Sequence, residues 1–239
     1  MLIAWNAISY KDEFLRDDLG PYLPKNEIVE AIESAALFYY IKKDKSLENL
    51  VKKIILSADT KPKIKSLAKD IKKAVFKKHP LLEGLELPDR IYLDENGIER
   101  VYVEKFDLEK KEFTSRFEKE VFKGVIEDFT ISSPNLIHIK TALLSFARGL
   151  AEYEHKALEG TVLEPYITDI QNKIANEWEM TLRVGEWTTT PYKGDLLFFW
   201  RIKEAREKLL KSFNIDIAPK DILFIPKYKE FLGWCEAKS

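Results

Sequence analysis

The sequence predicts an α+β fold from three observations: helical periodicity through residues 26–78, period-two alternation around an Asn-Gly pair, and later helices and short strands without a regular βαβ repeat. The chain has 239 residues, 45% hydrophobic and 33% charged, enough for one large domain or two small ones with a sizeable core. No repeat of period 20–50 is evident.

Leu23-Pro24-Lys25-Asn26 introduces the first helix, in which Ile28, Ile32, Ala35, Ala36 and Tyr39 recur at spacings of three and four. Asn26 is the predicted N-cap. Glu27, Glu30 and Glu33 near the start, with Lys42 and Lys43 at the end, match the helix dipole. Leu47, Leu50, Val51, Ile54 and Ile55 predict a second helix, and Ile64, Leu67, Ile71, Ala74 and Val75 a third, separated by Lys61-Pro62. Arg90–Asp94 and Ile98–Glu104 alternate as strands on either side of Glu95-Asn96-Gly97, which predicts a hairpin. A strand follows over Val121–Ser132, with Leu136–Lys140 read as further strand and a helix from Thr141 to Leu158. A helix from Pro165 to about Thr181 carries Ile167, Ile170, Ile174 and Trp178 on one face. The last sixty residues predict a polar loop around Trp187, a core segment Leu196–Trp200, a helix Lys203–Phe213, and a strand pair Ile222–Pro226 and Phe231–Trp234.

The formal net charge of −1 conceals a basic segment. Residues 42–78 hold thirteen lysines against Asp44, Glu48, Asp59 and Asp70. Such a segment is the electrostatic footprint of a polyanion partner, although a solvated helix pair would carry the same charge. Lysine (31) and glutamate (26) dominate while glutamine occurs once, at Gln171, a thermophile bias that an AT-rich genome would share for lysine.

The amino terminus lacks the basic-then-apolar order of a signal peptide, and no apolar run approaches a membrane span. Cys235 is alone, which suits a reducing cytoplasm. A soluble, cytoplasmic protein without membrane contact is therefore expected. His79, His138 and His155 form no metal-ligand spacing, and His138 reads as a packed core histidine in a strand. Phosphate-binding loops, dinucleotide turns and the GxSxG elbow are absent. Glu127 and Asp128 read as solvated strand-end acids, and Cys235 as a small buried hydrophobe rather than a nucleophile. The sequence thus predicts no catalytic residue, metal or cofactor. Aromatics interleaved with cations are more suggestive: Arg183, Trp187, Tyr192, Lys193, Trp200 and Arg201, then Lys227, Tyr228, Lys229 and Trp234. Single-stranded RNA is gripped by such pairings, bases stacking on rings and phosphates meeting cations.

Three stretches together resemble the CRISPR-associated RAMP superfamily (repeat-associated mysterious proteins), most closely the type III-A, Csm-type effector subunit at the 3′ end of the guide RNA. They are Tyr22–Ile32 with Ala35-Ala36-Leu37; Glu154–Thr161; and Leu182–Gly185 through to Pro226–Trp234. The chain departs from the family at 25–27, where Lys-Asn-Glu replaces Gly-Ser-Ser, and at Gly185, which stands nearly alone in place of several glycines. The resemblance implies one or two RRM-like, ferredoxin-like units, here residues 1–134 with a helical insertion over about 42–78, and residues 135–239. It also implies guide-RNA binding and assembly with other effector subunits, without nuclease chemistry. The RNA-contacting residues expected are Lys42, Lys43, Lys52, Lys53, Lys72, Lys73, Lys77 and Lys78 on the basic helices. Lys25, Arg183, Trp187, Lys193, Lys227 and Lys229 are expected at the loops matching the family. Two other readings stay open: a metal-independent repeat endoribonuclease, disfavoured by the missing glycine-rich carboxyl-terminal loop, and a protein-interaction module without RNA contact.

Overall fold

A computed structural model describes residues 2–61, 64–176, 180–189, 197–215 and 219–238. The chain runs β1 (Leu2–Ile8), β2 (Leu15–Asp17), β3 (Gly20–Pro24), α1 (Asn26–Lys43), α2 (Lys45–Leu56), α3 (Ile64–Lys78), β4 (Arg90–Tyr92), β5 (Ile98–Asp107) and β6 (Glu112–Ile126). It continues with α4 (Leu136–Leu158), α5 (Glu164–Asn176), β7 (Thr181–Arg183), α6 (Lys203–Phe213), β8 (Asp221–Ile225), β9 (Glu230–Phe231) and β10 (Trp234–Ala237).

Sixteen elements resolve into two antiparallel sheets and six helices among the described residues. The larger sheet has the order β7-β10-β1-β6-β5-β8-β9, and the smaller β2-β3-β4. Strands from residues 181–237 extend the central β1-β6-β5 trio on both sides, pairing Leu2 with Ala237 and Glu104 with Phe224. The α+β class expected from the sequence is observed.

The three amino-terminal helices form where their periodicity placed them; α2 and α3 each bury one face, while α1 is enclosed all round at Ser34–Phe38. Leu47, Val51 and Ile55 of α2 and Leu67, Ala68, Ile71 and Val75 of α3 enter the core. Helix α1 packs along α4 through an edge-to-face pair, Phe38 with Phe146 at 5.8 Å. Gly149 permits this approach, since a Cβ there would lie 2.5 Å from the Phe38 ring.

Several expectations are corrected. Helix α1 begins at Asn26, so Lys25 takes the N-cap place and no side chain caps the helix. The Asn-Gly pair makes no hairpin: Glu95–Gly97 is a single 3-10 turn capped by Asp94, whose carboxylate accepts from the Asn96 backbone N–H at 3.0 Å. Strand β4 before it pairs with β3, while β5 after it pairs with β6 and β8. Gly97 is required here for space, because a Cβ would come 2.6 Å from the Phe122 ring. The strand expected at 121–132 is β6, ending at Ile126, and its long hairpin with β5 sets its span. Residues 136–140 are the first turns of α4 rather than strand, which turns His138 to solvent instead of into the core. Helix α5 is described over Glu164–Asn176, and Thr181, its expected end, opens an edge strand, Thr181–Arg183, on β10. Trp178 lies outside the described residues.

Candidate nucleic-acid interface

Burying the apolar faces of α2 and α3 turns their lysines outward, and the neighbours then divide those lysines into two groups. Lys72 reaches Glu33 of α1 at 2.9 Å. Lys78 reaches Asp44 at 2.6 Å, and Lys52 meets Glu204 of α6 at 2.9 Å and Glu48 at 3.6 Å. Lys43 donates to the Tyr39 hydroxyl at 2.9 Å. Lys52, Lys72 and Lys78 thereby tie α2 and α3 to their neighbours, while the Lys43 bond stays within α1. Lys53, Lys73 and Lys77 are exposed and form no ion pair among the described residues; Lys69, which the sequence reading did not single out, joins them. Lys69, Lys73 and Lys77 recur every fourth residue, so they form one row along α3, with about 6 Å of axial rise between neighbours.

Asp44 ties this basic layer together. Its carboxylate accepts from Lys78, from the Ser46 hydroxyl at 2.7 Å and from the Ser46 backbone N–H at 3.0 Å, capping α2, and lies 3.1 Å from His79 Nε2. Those bonds, Lys78 first, then Ser46 and His79, hold the carboxyl far below the usual range. His79 stacks on Tyr40 with centroids 4.1 Å apart.

At the carboxyl end of α1, Lys42 faces a cleft of about 360 Å³ shared with Phe38, Phe198 and Arg201. A second cleft of about 310 Å³ adjoins it across Phe38 and Arg201 and adds Tyr153 and Lys156. Burial, then the like charge of Arg201, pushes the Lys42 ammonium pKa down. The aromatic-cation alternation of 198–201 was a signal for Arg201; nothing in the sequence linked it to Lys42, 159 positions earlier.

Arg183 and Trp187 are placed differently from their expectation. Trp187 is 2% exposed, and the Arg183 guanidinium lies between the rings of Trp187 and Trp234, at 4.7 and 4.4 Å from their centroids. Its Nη1 donates to Glu154 of α4 at 3.0 Å, with both side chains at most 1% exposed. Burial pushes the Glu154 carboxyl pKa up and the Arg183 guanidinium pKa down, their mutual attraction opposing both shifts. The polar Thr188 and Thr189 that suggested an exposed loop bind Asp221 instead, at 3.0 and 2.6 Å. Neither Arg183 nor Trp187 is open to a ligand. Gly185 next to them serves packing: it has φ +74°, and a Cβ would lie 2.1 Å from the Ser9 carbonyl oxygen.

Lys25 pairs with Asp89, and Lys227 with Glu99. Glu99 also accepts from Tyr228, whose phenol is pushed up to about 12 by burial and by that bond. Lys229 is exposed, with left-handed backbone at φ +56° and no ion pair among the described residues. Lys193 lies outside the described residues. Cys235 is buried, as read from the sequence, and burial raises its thiol pKa strongly. Among the described residues no group of three or more His, Cys, Asp or Glu side chains could hold a metal ion, and no helix is long and apolar enough to cross a membrane.

No family model matches the chain. An uncharacterized protein of Aquifex aeolicus (strain VF5) is 33% identical over 241 residues, spanning 100% of this chain and 98% of that one. Among solved structures, a chain of a Csm–crRNA–target RNA ternary complex from a type III-A CRISPR-Cas system superposes with a TM-score of 0.65 at 13% identity. It covers 95% of this chain and 75% of that chain. Csm5 of T. onnurineus gives 0.56 at 12% identity, over 94% and 73%. Both likenesses concern the fold.

Proposed function

We propose that this chain, which belongs to one family with the Aquifex aeolicus protein and has the RAMP-like fold of Csm-type subunits, is a non-catalytic guide-RNA-binding and assembly subunit of a type III CRISPR effector. The observation that carries the RNA half of this reading is the row Lys69, Lys73, Lys77 on α3, with Lys53 on α2. These ammonium groups are exposed and bound to no carboxylate of the described chain, so a phosphate backbone gains them without breaking an ion pair. Lys52, Lys72 and Lys78 take the supporting part, positioning the helices. The cleft of Lys42, Arg201 and Lys156 adds cations beside aromatic rings.

The absence of catalysis is supported by how the histidines are dispersed. His138 and His155 stand about 25 Å apart along α4, and His79 is engaged by Asp44 and Tyr40. Such a subunit works in the cytoplasm, on single-stranded guide RNA, beside other effector subunits.

The test is binding of labelled single-stranded RNA across a salt series with EDTA present, the products run on a gel. We expect salt-dependent binding of intact RNA, with a slope of about −0.7 per phosphate contacted. Lys69, Lys73 and Lys77 changed together to Glu should flatten that slope by about two and leave the fold unchanged. An unaltered slope would refute the role of the α3 row, and cleaved RNA would refute the non-catalytic reading. A complex with effector subunits that survives high salt and nuclease would replace RNA binding with a protein-interaction role.

A further inference from the structure

Trp5 is 41% exposed, while Trp187 and Trp234 are buried. One exposed ring is ordinary on a protein surface, and what sets Trp5 apart is the backbone that carries it and the cleft beside it. Strand β1 bulges here: Ala4 to Ile8 spans the register that β6 covers from Gly124 to Phe122. A bulge of this kind re-aims side chains. The ring is nevertheless held firmly. Its indole N–H donates to Glu236 of β10 at 2.6 Å, and that carboxylate is 1% exposed. The Lys238 ammonium stands 5.9 Å from the ring centroid.

The ring lines a cleft of about 300 Å³ between β1, β9 and α5, with Tyr166, Ile170, Tyr228, Lys173 and Lys229 also on its walls. That volume suits one small planar group. Both carboxylates of the cleft are already engaged: Asp169 meets Lys173 at 2.8 Å, while Glu230 takes Lys123 and the Ala7 N–H. Lys229 is thus the cation left over.

We propose that Trp5 is a stacking platform for one unpaired base of single-stranded RNA, with Lys229 taking an adjacent phosphate. The proposal rests on the RNA-binding reading above and adds a second contact, independent of α3. Aromatic faces stack on any base, so the site grips RNA without reading its sequence.

The test uses the purified full chain and a labelled uridine 12-mer, beside an abasic 12-mer of equal charge. Trp5→Ala should weaken binding to the uridine oligomer about tenfold or more at an unchanged salt slope, since no phosphate contact is lost. Trp5→Phe should stay within about threefold of wild type, and Lys229→Ala should reduce the slope by about 0.7. Wild type should prefer the uridine oligomer to the abasic one, and Trp5→Ala should not. Thermal melting checks the fold of each variant; should Trp5→Ala unfold, Trp5→Phe and the abasic comparison still decide. Equal affinity of wild type for both oligomers, or an unchanged Trp5→Ala affinity, would overturn the stacking site and leave RNA binding standing. Failure of wild type to bind either oligomer at low salt would overturn both.

Discussion

Breaking the buried pair of Glu154 and Arg183 tests how the carboxyl-terminal loops are held. Glu154→Leu leaves the guanidinium with 1% of its surface in water and no counter-charge, a change that costs about 3–5 kcal/mol. The flanking indoles at 4.7 and 4.4 Å still attract the cation by about 2 kcal/mol, which places the loss near the lower end. Arg183→Met leaves the carboxylate buried, with a comparable loss at neutral pH. The pair is also incompletely bonded: among the described residues Glu154 Oε1, Arg183 Nε and Nη2, and the neighbouring Thr181 Oγ1 have no hydrogen-bond partner. A half-satisfied buried network gains little over an apolar replacement. Glu154→Leu with Arg183→Met should therefore lie within about 2 kcal/mol of wild type, giving a coupling of about 3 kcal/mol or more. Urea unfolding at 25 °C measures the cycle. In a melt, each single change should lower Tm by roughly 6–20 °C for a chain of this length. A double variant that falls by the sum of the two singles would refute the reasoning.

Two predictions concern other fixed points of the fold. Gly185→Ala forces a side chain into left-handed backbone and against the Ser9 carbonyl, so it should cost at least about 1 kcal/mol in urea unfolding, whereas Gly160→Ala, also at positive φ but in open space, should cost less. Asp44 has a lowered pKa in the folded chain, so the stability it confers is present above the unfolded carboxylate value and is lost as pH falls through that value toward the folded one. Asp44→Asn keeps an N-cap but cannot titrate, so its Tm should fall less than that of wild type on acidification from pH 4.5 to pH 2; parallel curves would contradict the assignment.

Residues close in sequence decided what was legible without tertiary structure. The helices α1, α2, α3 and α6 followed from apolar spacing, because an amphipathic face repeats within a few residues of itself. The basic segment of 42–78 was equally local, being a matter of composition. Strand pairing was not local. Asn96-Gly97 carried a hairpin signal, yet β4 found β3 and β5 found β6, since partners are chosen by packing across the whole core. The role of each cation was likewise decided at a distance. Lys72 and Lys73 are neighbours in sequence, but one meets Glu33 and the other faces water because α3 turns about 100° between them. Arg183 and Trp187, which resemble an RNA grip when read in line, are buried because Glu154 supplies the countercharge and Trp234 the second ring. Trp5 gave no signal in a strand-like LIAWNAI; a bulge against β6 and a carboxylate 231 positions away set its ring at the surface. Periodicity and composition act along the chain and determined the helices and the charge. Burial and pairing act across it, and they alone decided which polar and aromatic groups remain available to a partner.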